Sequence, residues 1–179
     1  MPYHGFEEVE LTIGHTLPLA HYGKWFYDNG GTDDMLQFDE KEKPYREMPA
    51  NLHDSTFVAE KTVDFLKYGR DEKRPFFAVA SFPDPHFPFN PPKEYYEKFK
   101  DMSIKFPVGE SKDLEKRPAH YMVHNKKEYH SKATYGAAYK GGKEVTRQRI
   151  VATHAMNNLI DDCIGRIMTA LEEENLKDD

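Results

Sequence analysis

One cysteine, Cys163, stands among the 179 residues, so no disulfide framework can form within the chain and the redox compartment stays open. No stretch approaches the roughly 18 consecutive apolar residues of a membrane span. No run of Lys or Arg builds a basic patch either. The net charge is −6 with both signs interspersed, whereas neutralising phosphates needs clustered cations. Nucleic acid and membrane are therefore not expected as partners. The opening "MPYHGFEEVELTIGH" lacks the basic start and apolar run of a signal peptide. Apolar side chains make up 38% of the chain and charged ones 31%, which gives a polar surface around a core the size of one domain. There is no internal repeat or low-complexity tract.

What is present begins with "VELTI", Val9 to Ile13, whose period-two alternation predicts a half-buried strand. "YDNGGTDD" reads as a loop and "DEKEKPYREMP" as exposed irregular chain. Asp54 or Ser55 can cap a helix over roughly Thr56 to Tyr68, closed by Gly69. Its apolar positions Phe57, Val58, Phe65 and Leu66 favour one face, expected to pack on a sheet. "FFAVASF", Phe76 to Phe82, is uniformly apolar between Pro75 and Pro83, as expected of a strand buried on both faces of a parallel sheet. "PPKEYYEKF" allows a short helix with proline in its first turn. From Glu144 to about Asn175 the spacing of Met156, Ile160, Ile164, Ile167 and Leu171, with Leu159 and Cys163 beside them, predicts a long helix. Helix and strand together indicate an α/β class with a mostly parallel sheet flanked by helices. With only two strands in view, residues 1–179 read as part of a larger α/β domain, incomplete at both ends.

Candidate chemistry centres on His86, held between Pro85 and Phe87 just beyond the apolar run. Open α/β sheets place ligand-binding residues at strand C-terminal ends. An imidazole there can hydrogen-bond an anion or assist a departing oxygen; alternatively it is a loop histidine capping backbone groups. Asp84 can orient His86, but an Asx-turn before Pro85 is the simpler reading. His120, His124 and His130 lie in "AHYMVHNKKEYH", which lacks the Glu of the zinc-protease pattern, so solvated histidines are expected. Cys163 sits on the apolar side of a helix and reads as a small buried hydrophobe. Asp161 and Asp162 are adjacent in a helix and diverge, which excludes one acid/base dyad. Gly165 inside the same helix suggests close approach of a neighbouring backbone. "GGK" at Gly141 to Lys143 is too short to cradle phosphate.

"KRPFFAVASFPDPHFPFNPPKEYYEKF" resembles the central segment of sulfatases, in the alkaline phosphatase superfamily, where a Pro-Phe-Phe strand leads into Pro-His-x-Pro. "RQRIVATHAMNNLIDDCIGRIMTALEEENLKDD" is similar to the later sulfatase helix, and "HGFEEVELTIGH" to the Gly-Phe-Asp segment after Gly-Lys-x-His. The resemblance implies an alkaline-phosphatase-like α/β/α sandwich and hydrolysis of a small-molecule or carbohydrate sulfate ester. It also implies a formylglycine nucleophile and a divalent cation, usually calcium. To His86 it gives contact with the sulfate and help to the leaving oxygen. No Cys/Ser-x-Pro/Ala-x-Arg sequence for formylglycine is present, and the metal ligands of the family are not matched, so this chain alone is expected to be inactive. "YGKWF" at Tyr22 to Phe26 imitates Gly-Lys-x-His with Phe26 in place of His and on the wrong side of the Gly-Phe segment, and is read as a decoy. A phosphodiesterase or phosphonate monoester hydrolase of the same superfamily is the alternative enzyme, and a non-catalytic binding module the alternative of another class.

Overall fold

The computed structural model describes residues 5–13, 18–37, 43–106, 118 and 142–178. His120, His124 and His130, and most of the segment from Asp101 to Gly142, lie outside these residues. Five helices organise the rest: α1 (Ala20–Asp28), α2 (Asp33–Leu36), α3 (Asp54–Asp64), α4 (Lys93–Phe99) and α5 (Gly142–Glu173).

Helix α1 forms because "YGKWF" sets Tyr22, Trp25 and Phe26 at helical spacing on one face. They pack with Met48, Leu52 and Phe57, and the Trp25 and Phe57 rings lie 5.5 Å apart at 59°. Trp25 Nε1 donates to Glu60 Oε1 at 2.7 Å, which satisfies the one polar atom of the indole. Gly23 is dictated by a close approach: a Cβ there would come within 1.9 Å of Pro18 O. Lys24, the residue that would act in a Gly-Lys-x-His arrangement, is 79% exposed and pairs with Asp28 one turn on. The decoy is a core-forming helix.

Helix α3 begins two residues before the expected Thr56, with His53 at the N-cap. Past Asp64 it widens into a π-type turn, Phe65–Gly69, closed where Gly69 was expected to end it. Among the described residues its buried face meets α1 and α5 rather than a sheet. Small residues allow close approach of α5: Ala59 packs with Leu159 and Cys163, while Ala152 and Ala155 meet Tyr96 of α4. The long helix therefore appears as expected, with only part of its expected apolar set buried. Val151, Ala152, Ala155, Met156, Leu159, Cys163 and Ala170 are inside, while Ile164 is 45% exposed. Gly165 also differs, since a Cβ there would touch nothing within 4 Å.

The expected sheet is where sequence and structure diverge most. Phe76–Phe82 forms no regular element and has no ladder partner among the described residues. Phe77 is 77% and Val79 61% exposed, the opposite of a strand covered on both faces. Val9–Ile13 likewise has no ladder partner among the described residues and is held to α1 by Leu11 N to His21 Nδ1 at 3.0 Å and Tyr22 N to Leu11 O at 3.1 Å. A strand is stabilised by cross-strand neighbours, and these segments lack them here. "PYREMP" is less exposed than expected, because Arg46 and Met48 are buried. Arg46 joins Pro92 in a parallel bridge, with Arg46 N donating to Pro91 O at 2.8 Å and Lys93 N to Arg46 O at 3.0 Å.

Candidate functional site

The chain leaves the apolar run at Pro83 and turns sharply, with His86 N donating to Pro83 O at 3.2 Å. The Asp84–Pro85 and Phe87–Pro88 peptide bonds are cis. This geometry separates neighbours cleanly: Asp84 and Asn90 are buried, while Pro85 and His86 are exposed. The His86 ring stands at the surface with Nδ1 against its neighbour's carbonyl, Phe87 O. A carbonyl only accepts, so Nδ1 carries the hydrogen.

Beneath this turn lies a group of polar side chains that sequence reasoning did not assemble. Ser55 Oγ donates to Asp84 Oδ2 at 2.7 Å. His53 Nδ1 is 2.8 Å from Asp54 Oδ1 and 3.6 Å from Asp84 Oδ2, and all three side chains are at most 4% exposed. The Ser55 amide lies 3.3 Å from His53 Nδ1 and 2.9 Å from Asp54 Oδ1. The carboxylate, closer and charged, is the stronger acceptor, which leaves Nδ1 to donate toward Asp54. Asp84 was expected to form an Asx-turn or to orient His86. Its Oδ2 accepts from Ser55 of α3, 29 residues away in sequence. Only the "HDS" triplet at an N-cap hinted at the group, and nothing in the sequence announced Asp84 as its partner.

Electrostatics hold the group together. Burial pushes the Asp84 carboxyl up to about 6 against the pull of His53. Burial by itself lowers the His53 imidazole, but Asp54 and Asp84 outweigh it and the net movement is upward. Arg46, also buried, is lowered by desolvation and supported by Asp54, Tyr22 and Asp84. Tyr22 completes the enclosure, its hydroxyl donating to Leu52 O at 2.9 Å. Arg46 and the His53 imidazole thus face two acids in one buried pocket.

His53, Asp54 and Asp84 bring ligand-capable atoms within 4.8 Å of one another. The set does not suit a hard cation such as calcium, which takes roughly six to eight oxygen ligands. Here one donor is an imidazole nitrogen, and the buried guanidinium of Arg46 faces both acids. Cys163 is buried, with burial raising its thiol out of the reactive range. Asp162 accepts from Tyr95 Oη at 2.6 Å, while Asp161 is exposed.

The family model described as Sulfatase matches residues 7–179. An arylsulfatase of Clostridium perfringens is 29% identical over 160 residues, which are 85% of this chain and 31% of that protein. The multifunctional alkaline phosphatase superfamily protein PehA of Trinickia caryophylli is 33% identical over 145 residues, 77% of this chain and 27% of its own length. The uncharacterized sulfatase YidJ of Escherichia coli K12 is 29% identical over 133 residues, 72% of this chain and 25% of that protein. The chain therefore spans about a quarter to a third of the length of these relatives.

Proposed function

The chain belongs to the sulfatase family, and from that membership we propose that it forms part of one hydrolytic domain cleaving sulfate esters, with His86 as the group that meets the sulfate. In this reading Phe76–Phe82 is a strand of an alkaline-phosphatase-like α/β fold and His86 stands at that strand's end. The observation that supports this reading is the contrast within one turn: an exposed imidazole rises directly from a buried, ion-paired anchor. An anion-binding histidine needs access to the ligand and a fixed base.

The chemistry assigned to His86 follows from its tautomer. With Nδ1 committed to Phe87 O, Nε2–H of the imidazolium donates to a sulfate oxygen and offsets its charge. As the S–O bond to the leaving alcohol breaks, that proton passes to the departing oxygen, leaving neutral imidazole. A divalent metal, calcium in this reading, would polarise the sulfate oxygens when bound, and the His53 group does not supply its ligands. The nucleophile of this reading, a formylglycine hydrate, belongs to no sequence in the chain. Small-molecule and carbohydrate sulfate esters are the proposed substrates.

The second reading, a phosphodiesterase or phosphonate monoester hydrolase, is favoured by the similarity to PehA, which is named multifunctional. The two separate in a turnover assay of the full open reading frame that carries these residues. Aryl sulfate should be cleaved with a higher kcat/KM than aryl phosphodiester or aryl phosphonate, and His86→Ala should lower kcat about 10²-fold. Preference for the phosphorus esters would select the second reading, and near-wild-type turnover by the variant would remove His86 from both.

A further inference from the structure

Ser55 belongs to the buried group and its hydrogen bond reaches directly across to the segment carrying His86. Its hydroxyl, fully buried at the first turn of α3, donates to Asp84 Oδ2 at 2.7 Å. Asp84 stands two residues before His86, and the intervening turn is closed by His86 N to Pro83 O. His53 backs the same carboxylate oxygen at 3.6 Å and is itself held by Asp54 at 2.8 Å. Helix α3 is in turn fixed by Phe57 in the aromatic core and Ala59 against α5. The load path therefore runs from two hydrophobic cores, through α3, to a single carboxylate and on to the exposed imidazole.

We propose that Ser55 is a positioning residue for His86: by anchoring Asp84 to the N-terminus of α3, it fixes the direction in which the His86 ring faces solvent. This rests on the reading of His86 as the sulfate-contacting group. The physical need is plain, because an exposed loop side chain without an anchor samples many orientations, and misplacement by about 1 Å can cost roughly 10² in rate. A Ser–carboxylate bond in a buried pocket suits the task. It is short and charge-assisted, and burial keeps it from the full dielectric of bulk solvent.

The test uses the 179-residue chain and backbone ¹⁵N relaxation. Asp84, His86 and Phe87 should show order parameters near 0.85 in the wild type and below about 0.6 in Ser55→Ala, while α5 amides stay unchanged. Asp84→Asn keeps an acceptor for Ser55 Oγ and should leave the three amides ordered. Unchanged order in Ser55→Ala would overturn the proposal. So would loosening of α5 together with the turn, which would make Ser55 a residue of general stability. Equal loosening in Asp84→Asn would assign the anchoring to charge alone and overturn it as well. Titration with inorganic sulfate separates the two ideas. If His86 resonances ignore sulfate while Ser55→Ala still frees the turn, the anchor stands and the anion reading falls. If sulfate moves His86 equally in both proteins, positioning by Ser55 is refuted and the anion reading survives.

Discussion

At the scale of single residues, the buried group below His86 sets a direction for the pH dependence of stability. Asp84 is raised from 3.8 to about 6, so the folded chain keeps a proton that the unfolded chain releases. Folded protein then binds more protons than unfolded between those values, and stability falls as pH rises through them. His53 is raised from 6.5; its contribution is fully present below that value and is lost as pH climbs past its folded pKa. Both groups make mildly acid solution the more stabilising side. Urea midpoints should therefore decline from about pH 4 to above 6.5, and Asp84→Asn, which mimics the protonated acid, should flatten the lower part of that decline. A midpoint that rises across the window would contradict the placement of Asp84 in a buried pocket. His53 itself was not legible in the sequence. A histidine before a helix reads as one more loop residue until a carboxylate from 31 positions later, Asp84, arrives beside it.

Among the elements, the two glycines make opposite predictions. Gly23→Ala forces a Cβ to within 1.9 Å of a backbone oxygen, so it should displace α1 from Tyr22, Trp25 and Phe26 and cost several kcal/mol, on the order of about 3 or more. Gly165→Ala meets nothing within 4 Å and should stabilise α5 by about 0.5–1 kcal/mol through helix propensity. Thermal or urea unfolding of both variants checks the pair. The helices themselves were readable because their periodicity is local: α4 and α5 lie where spacing and proline placement put them. Which stripe of α5 faces inward was readable only in part, through Met156, Leu159 and Cys163. Ile160, Ile164 and Ile167 outweigh Ala152 and Ala155 in hydrophobicity, yet the alanines go inside because they let α4 approach. The same limit explains "YGKWF", whose imitation of a functional sequence dissolves once its aromatic face is seen packed. His86 was legible for another reason: proline on both sides and an apolar run before it are local features.

For the whole molecule, the decisive feature is apolar surface on chain outside any regular element. Phe76, Phe77 and Val79 are exposed, and Phe6 stacks on Phe77 with centroids 6.3 Å apart. Phe77→Thr should change stability by no more than about 0.5 kcal/mol, since little of the ring is buried. It should also reduce self-association, because an uncovered apolar segment invites pairing. Sedimentation velocity of both proteins over a range of concentrations measures the effect. Association unaffected by the substitution would show that this surface is not sticky. Whole-sheet architecture was not legible from the segment alone for a physical reason. A strand is defined by neighbours, and Phe76–Phe82 has none among the described residues, whereas a helix satisfies its own backbone.

The most direct measurement on the central role of His86 is an NMR titration of the 179-residue chain with inorganic sulfate at pH 6, against sodium chloride of matched ionic strength. The His86 Cε1–H resonance should move saturably with sulfate alone, while the exposed His21 and His154 respond equally to both salts. If His86 follows chloride and sulfate identically, it is a surface histidine on a well-anchored turn, and its assignment to sulfate is wrong.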